Sequence, residues 1–230
     1  MSTPINRYID AAILKPDLTP AEAEADIRAM VECDAFSVCV RPADIAMALR
    51  LCEGTTTAVG TVLSFPHGCG HPAVKAKEAE TYSALGVAEI DMVVNYGLAR
   101  AGDWEAVQTD IAAVVDVARP KGILVKVILE TSELELDAIA GATEAAIAAG
   151  ADYVKTSTGF ASGGASEEAV QTMLDTAKGR IKVKASGGVR DRATAEKYVA
   201  MGCERLGVGS SSTPAICNPE GEVPEDSGQY

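Results

Sequence analysis

The sequence lacks several things that would decide its class quickly. No apolar run reaches the roughly 18 residues that a membrane-crossing helix needs. The start, "MSTPINRYIDAAILKPD", has no basic stretch followed by a long apolar block, so it does not read as a secretory signal. Basic residues are scarce: 20 Lys and Arg stand against 33 Asp and Glu, a net charge of −13. That balance excludes the basic face that nucleic acids and anionic membranes select, so neither partner is expected. It leaves room for a small anionic substrate, because a phosphate is held by a few backbone N–H groups and one or two cations. No CxxC pair joins Cys33, Cys39, Cys52, Cys69, Cys203 and Cys217, which read as reduced thiols of a cytoplasmic protein. There is no GxSxG for a serine hydrolase and no GxGxxG after the first apolar run.

What the chain does have is alternation. Short apolar runs are separated by amphipathic stretches, the pattern of a parallel sheet built from βα units. The runs are Ile9–Leu14, Ser37–Val40, Ala58–Phe65, Glu89–Val94, Ile123–Glu130, Tyr153–Thr156, Ile181–Ala185 and Arg205–Val208, eight in all. "TPAE" (Thr19, Pro20, Glu22) predicts a helix start with a capping box and proline in the first turn. Ser166 before Glu167 and Glu168 predicts another. One domain over 1–217 is expected, a (β/α)8 TIM barrel, followed by an acidic, Pro/Gly-rich flexible tail over 218–230. A doubly wound open sheet is the alternative architecture.

A repeat marks three of the handovers from helix to strand. Gly86, Gly150 and Gly202 each close a helix; four residues later come Ile90, Val154 and Leu206, and directly after them Asp91, Lys155 and Gly207. These are the fourth, sixth and eighth runs. Alternate strands of such a barrel feed the same interior layer, so Asp91 and Lys155 are expected to point inward at one height.

That placement gives "ADYVKTSTGF" its interest. Lysine is seldom buried without a partner. Lys155 and Lys184 fall on neighbouring strands near the C-terminal ends, where barrel enzymes keep their chemistry. Two ammonium groups close together and shielded from water lose a proton more easily, and a neutral amine attacks an aldehyde to form a Schiff base. The alternative is a buried Lys–Asp or Lys–Glu pair that only orders the barrel. Lys126 and Glu130 share a face by strand alternation and are expected to form such an internal pair. The loops "TSTG", "SGGVR" and "GVGSSS" present backbone N–H groups and hydroxyls at the mouth, as an anion site requires. His67, Cys69 and His71 in "FPHGCGH" invite a metal reading, but no further ligand completes the set, so no metal and no cofactor are expected.

On "GVAEIDMVVNYG", "LVKVILET", "ADYVKTSTGF" and "KVKASGGVR", the chain resembles the deoxyribose-phosphate aldolases, class I aldolases on a (β/α)8 barrel. The resemblance runs from about Ile9 to Ser211. It implies reversible cleavage of 2-deoxy-D-ribose 5-phosphate to acetaldehyde and D-glyceraldehyde 3-phosphate, with C3–C4 as the bond expected to break. It implies Lys155 as the Schiff-base lysine, Lys184 as the cation that lowers its pKa, and Asp91 as the carboxylate of a proton relay. It also implies a phosphate site from Gly159, Gly187, Gly188, Gly209 and Ser210. Some members end in a catalytic tyrosine, which makes Tyr230 in "EDSGQY" the matching candidate. The expected partners are a phosphosugar and further copies of the chain, as a homodimer or higher homo-oligomer. Two departures stand out. The family's "DHT" in the first strand is "DAA" here, with Ala11 and Ala12, which predicts weaker polar contacts to substrate hydroxyls. Val208 and Gly209 replace two residues of its last loop, which shifts phosphate binding toward backbone N–H groups. A Schiff-base lyase for another phosphosugar, or a phosphosugar-binding barrel without catalysis, remains open on the residues alone.

Overall fold

The computed structural model describes residues 3–218. Eight parallel strands close into a barrel in sequence order. They are β1 (Ile9–Ile13), β2 (Ser37–Val40), β3 (Ala58–Leu63), β4 (Glu89–Val93), β5 (Leu124–Ile128), β6 (Tyr153–Lys155), β7 (Lys182–Ser186) and β8 (Arg205–Gly209). Around them lie α1 (Pro20–Glu32), α2 (Ile45–Cys52), α3 (Pro72–Leu85), α4 (Tyr96–Ala101), α5 (Trp104–Ala118), α6 (Leu136–Ala149), α7 (Glu167–Ala177), α8 (Arg192–Met201) and α9 (Thr213–Cys217). This is the (β/α)8 barrel, not the open sheet. No helix among the described residues is long and apolar enough to cross a membrane.

The punctuation explains where elements start and stop. The Thr19 hydroxyl accepts from Glu22 N–H while the Glu22 carboxylate accepts from Thr19 N–H, a complete capping box on α1 with Pro20 in its first turn. Ser166 caps α7 by accepting from Ala169 N–H at 3.1 Å. Gly86, Gly150 and Gly202 end α3, α6 and α8 in left-handed conformations, with φ of 100°, 77° and 116°. β3 and β5 end two residues earlier than the apolar runs suggest, because a residue other than glycine turns left-handed. Ser64 (φ 51°) stops β3 before Phe65, and Glu130 (φ 58°) lies two residues past the end of β5.

The outward faces of the strands and the inward faces of the helices form one apolar core, including Ile9, Val38, Ile90, Val125, Val154 and Leu206. The barrel interior is different. By strand alternation the layer below the mouth holds Cys39, Asp91, Lys155 and the bare backbone of Gly207 from the even strands. The layer beneath it holds Asp10, Gly60, Lys126 and Lys184 from the odd strands, and the floor holds Ser37, Glu89, Tyr153 and Arg205. Gly207 is required: a Cβ there would lie 2.4 Å from the Ser186 Cβ and 3.3 Å from the Lys184 Cε. The third member of the sequence repeat is therefore a gap that Lys184 occupies.

Candidate active site

Lys155 is the last residue of β6, and its amine lies 3.0 Å from Asp91 Oδ2. The same oxygen accepts from Lys184 Nζ at 2.9 Å. Lys126 takes the other oxygen, Oδ1, at 3.1 Å. The fifth, sixth and seventh strands thus converge on one carboxylate of the fourth, and Asp91 and Lys155 meet as the register repeat predicts. Below, Lys184 also donates to Asp10 Oδ2 at 2.6 Å, and Arg205 bridges Asp10 Oδ1 and Glu89 Oε1 at 2.8 and 3.0 Å. Ser37 donates to Asp10 as well. All of these side chains are buried.

The cluster contains four cations (Lys126, Lys155, Lys184 and Arg205) and three carboxylates (Asp10, Glu89 and Asp91). Fully charged, it carries one excess positive charge away from water. A buried net charge is expensive, so the weakest-held cation is the one to give up its proton. Lys126 faces Asp10, Glu89 and Asp91, and although burial opposes its charge they hold its pKa well above the usual lysine value. Lys184 has burial against it too, yet Asp10 and Asp91 raise its pKa. Lys155 has only a shared oxygen of Asp91. Burial pulls its pKa down, Asp91 offsets part of that, and Lys184 pushes it further down. Burial is thus a larger cause than the neighbouring cation, which refines the expected role of Lys184. For Asp91, burial favours the neutral form, but Lys126, Lys184 and Lys155 outweigh it and hold the carboxyl well below its usual range. Cys39 faces the same space, and burial together with Asp91 pushes its thiol up to about 12.

Above this cluster, on the β6–β8 side, a cavity of about 180 Å³ opens between three loops. Gly159, Gly187, Gly188 and Gly209 line it, with Gly164, Arg190, Ser211 and Ser212. Gly187 takes φ 81°, and a Cβ on Gly164 would lie 2.4 Å from the Gly187 carbonyl oxygen, so the loops after β6 and β7 meet backbone to backbone. Ala165 N–H donates to that carbonyl at 3.0 Å and ties them. Ser210 is not part of this lining. Its hydroxyl donates to Asp26 at 2.7 Å on the outer side, as alternation from inward Gly209 requires. Tyr230 lies outside the described residues. On the other side of the mouth Ala12 joins Leu14, Cys39, Val62 and Phe65 in a small apolar cluster, while Ala11 packs outward into the main core.

Two more expectations meet the geometry. Lys126 and Glu130 do not pair: the left-handed turn at Glu130 breaks the alternation, and its carboxylate accepts from Thr158 instead. His71 caps α3, its Nδ1 accepting from Ala73 N–H at 3.2 Å, and Cys69 is exposed. Among the described residues no three His, Cys, Asp or Glu side chains gather as a metal-ligand set. Asp10, Glu89 and Arg205 belong to the interior network and were missed, although Glu89 and Asp91 stand two apart in one apolar strand, the spacing of a shared face.

With this geometry in place, comparison with known proteins is direct. The family model described as DeoC/LacD family aldolase matches residues 8–217. A deoxyribose-phosphate aldolase of Geobacillus sp. (strain WCH70) is 44% identical over 210 residues, covering 91% of this chain and 94% of that protein. Among solved structures, QR15, an aldolase, superposes with a TM-score of 0.86 at 37% identity, covering 93% of this chain and 94% of that one. A tetrameric deoxyribose phosphate aldolase from Aeropyrum pernix gives 0.85 at 29% identity, covering 93% and 89%.

Proposed function

The chain belongs to the DeoC/LacD family of aldolases, and from that we propose its reaction and the role of each site residue. It is a class I aldolase that cleaves 2-deoxy-D-ribose 5-phosphate reversibly to acetaldehyde and D-glyceraldehyde 3-phosphate. The observation that carries this reading is the single Asp91 oxygen shared by Lys155 and Lys184, which leaves Lys155 the least supported of the buried cations in the barrel.

The neutral Lys155 amine adds to the C1 aldehyde, and loss of water leaves a protonated imine. A base then takes the proton of the C3 hydroxyl. The C2–C3 bond breaks, its electrons pass to C2 and into the iminium, and C3 becomes the aldehyde of glyceraldehyde 3-phosphate. The broken bond is C2–C3 rather than C3–C4, because only a carbanion at C2 is conjugated with the imine and because the acetaldehyde fragment has two carbons. Protonation of the enamine at C2 and hydrolysis release acetaldehyde and the free lysine. The iminium is the electron sink throughout. Asp91, kept ionised by three lysines, is the relay carboxylate through a water, and Lys184 remains charged beside it. The glycine-lined cavity over β6–β8 receives the phosphate, with backbone N–H groups and Arg190 as its donors.

Borohydride reduction in the presence of acetaldehyde, followed by peptide mapping, tests the assignment: the modified residue is expected to be Lys155. A homo-oligomer is proposed as well, supported by the tetrameric aldolase among the structural relatives, and light scattering measures it.

A further inference from the structure

Among the described residues, four other than glycine have positive φ: Asp34, Ser64, Glu130 and Lys178. Asp34 and Lys178 lie exposed at helix ends and Ser64 is half-buried; only Glu130 is fully buried. A buried, bulky residue in the left-handed region is held there by its surroundings. Here the surroundings are β6. Leu129 N–H donates to the Lys155 carbonyl and Thr131 N–H to the Thr156 carbonyl, both at 2.9 Å, so the chain on either side of Glu130 is stitched to the nucleophile's own strand.

The turn aims the Glu130 carboxylate past the end of β6. Oε1 accepts from Thr158 N–H at 3.2 Å, and Oε2 accepts the Thr158 hydroxyl proton. The Thr158 oxygen in turn accepts from Phe160 N–H at 3.0 Å. Between these two anchored amides sits Gly159, at φ 86°, on the wall of the glycine-lined cavity. Only Thr156, Ser157 and Thr158 separate it from Lys155.

We propose that Glu130 is a positioning residue: through Thr158 it fixes the cavity wall relative to the Lys155 amine and so sets recognition of the substrate's phosphate end. This rests on the aldolase reading above, but only for the identity of the substrate. A sugar phosphate must reach its imine carbon and its phosphate at once, and a short segment pinned at Thr158 and Phe160 gives that span one length. Glu130 does not touch the reacting atoms.

Ionisation follows from the same geometry. A carboxylate offers acceptors to both Thr158 donors, whereas a protonated acid competes with one of them. Burial raises the Glu130 pKa; the Thr158 hydrogen bonds and the Lys155 charge pull it back, and Glu133 pushes it up slightly. Protonation on acidification therefore loosens the wall, and phosphate recognition weakens as pH falls through that pKa.

The test uses the full chain and two variants, Glu130→Gln and Thr158→Val, which break the link from opposite ends. Inorganic phosphate binding is measured by calorimetry, and KM and kcat are measured with 2-deoxyribose 5-phosphate and with unphosphorylated 2-deoxyribose. Loss of one hydrogen bond to a charged acceptor predicts phosphate affinity and kcat/KM for the phosphorylated sugar both lower by about tenfold, through KM. The unphosphorylated sugar is expected to stay within about twofold, as for a site not coupled to the change. Phosphate takes up a proton itself as pH falls, so Glu130→Gln is expected to keep only that part of the acid weakening and to lose less affinity on acidification than the wild type. Equal losses on both sugars, unchanged phosphate affinity in both variants, or an acid limb as large in Glu130→Gln as in the wild type would each overturn the proposal. The phosphate titration judges Glu130 even if Lys155 traps no aldehyde, an outcome that counts against the Schiff-base reading alone.

Discussion

Lys126 and Lys155 are both buried inside one barrel, on adjacent strands, and both touch Asp91. One is driven above the ordinary lysine range and the other below it. Burial acts in the same direction on both, so the difference lies in carboxylate count. Lys126 has three within 3.3 Å, while Lys155 has one oxygen that it shares. The two lower layers of the barrel thus form a saturated ion network, and the layer under the mouth is left one carboxylate short. In the proposed mechanism a lysine becomes a reagent by being under-supported, without any special group of its own.

The sharpest way to break this contrast is Lys155→Met. Removal of a covalent nucleophile predicts a loss of at least about 10⁴-fold in kcat and no trapped adduct. Stability moves the other way. The folded-state pKa of Lys155 is lowered, so the unfolded chain binds more protons between that value and about 10.4, and folding pays a penalty that is complete below the folded pKa. The variant is expected to be more stable near neutral pH, with the gain fading as pH rises toward 10, measured by chemical denaturation across pH. An adduct that persists and maps to Lys184 or Lys126 would sink the assignment.

Lys184→Leu is expected to have the next largest effect. It deletes a cation that repels a proton from Lys155 and releases the Asp91 oxygen to Lys155 alone, so the Lys155 pKa rises. Each unit of rise lowers the free-amine fraction about tenfold near neutral pH. The rate loss therefore shrinks as pH increases and the amine recovers. Arginine at 184 keeps the charge and should retain more activity than leucine. A pH–rate profile displaced by the same factor at every pH would show that Lys184 acts as a proton donor or substrate contact instead.

Much of this arrangement is legible in the sequence because it depends on period. The glycine that ends each helix sets the phase of the next strand, and alternation then places Asp91, Lys155 and Gly207 in one layer. Alternation also assigns Ser210 to the outer face once Gly209 is inward, although Ser210 reads as a loop hydroxyl when composition alone is considered. What period cannot reach is backbone that leaves the regular regions. Glu130 looks like the fifth strand's next inward residue after Lys126 and Ile128, and a left-handed φ turns it onto Thr158. Asp10, Glu89 and Arg205 are isolated charges in apolar runs. Each reads as a strand end until the closed barrel brings carboxylates from two other strands within 3.0 Å of the Arg205 guanidinium.

Lys126→Met tests the two lower layers. Asp10, Glu89 and Asp91 then lose a common cation, and breaking buried pairs in this way costs about 3–5 kcal/mol. Activity should fall less than in Lys184→Leu, about tenfold from a relaxed Asp91. Acid stability gives an independent reading. The folded pKa values of Asp10 and Asp91 lie below 3.8, so the stability they contribute is present above that value and lost as pH falls toward the folded pKa. With fewer cations the depression shrinks, and the acid-unfolding midpoint should move to higher pH. An unchanged midpoint would mean that Lys184 and Arg205 suffice to hold both carboxylates.

The smallest catalytic effect is expected at Lys75, which separates two explanations that Lys155 alone confounds. Lys75 is fully buried, and burial lowers its pKa despite Asp110, much as burial does at Lys155. It lies outside the barrel interior, where its amine donates to the Val93 carbonyl at 2.9 Å and to Asp110 Oδ2 at 2.7 Å. Asp110 also accepts from Asn95 N–H at 3.0 Å, so the pair fastens the end of β4 to α3 and α5. If burial and a lowered pKa were enough to make a nucleophile, acetaldehyde and borohydride would label Lys75 alongside Lys155. Both acceptors of the amine are fixed and the side chain is fully buried, so no label is expected there, even at alkaline pH. Lys75→Met should leave the rate of trapping at Lys155 within about twofold, as for distant sites that do not share partners. Its cost falls on stability, about 3–5 kcal/mol for a broken buried pair. Comparable labelling of the two lysines would show that access and a shared carboxylate are not what distinguishes the reagent. The contrast between the lower layers and the mouth would then need another cause.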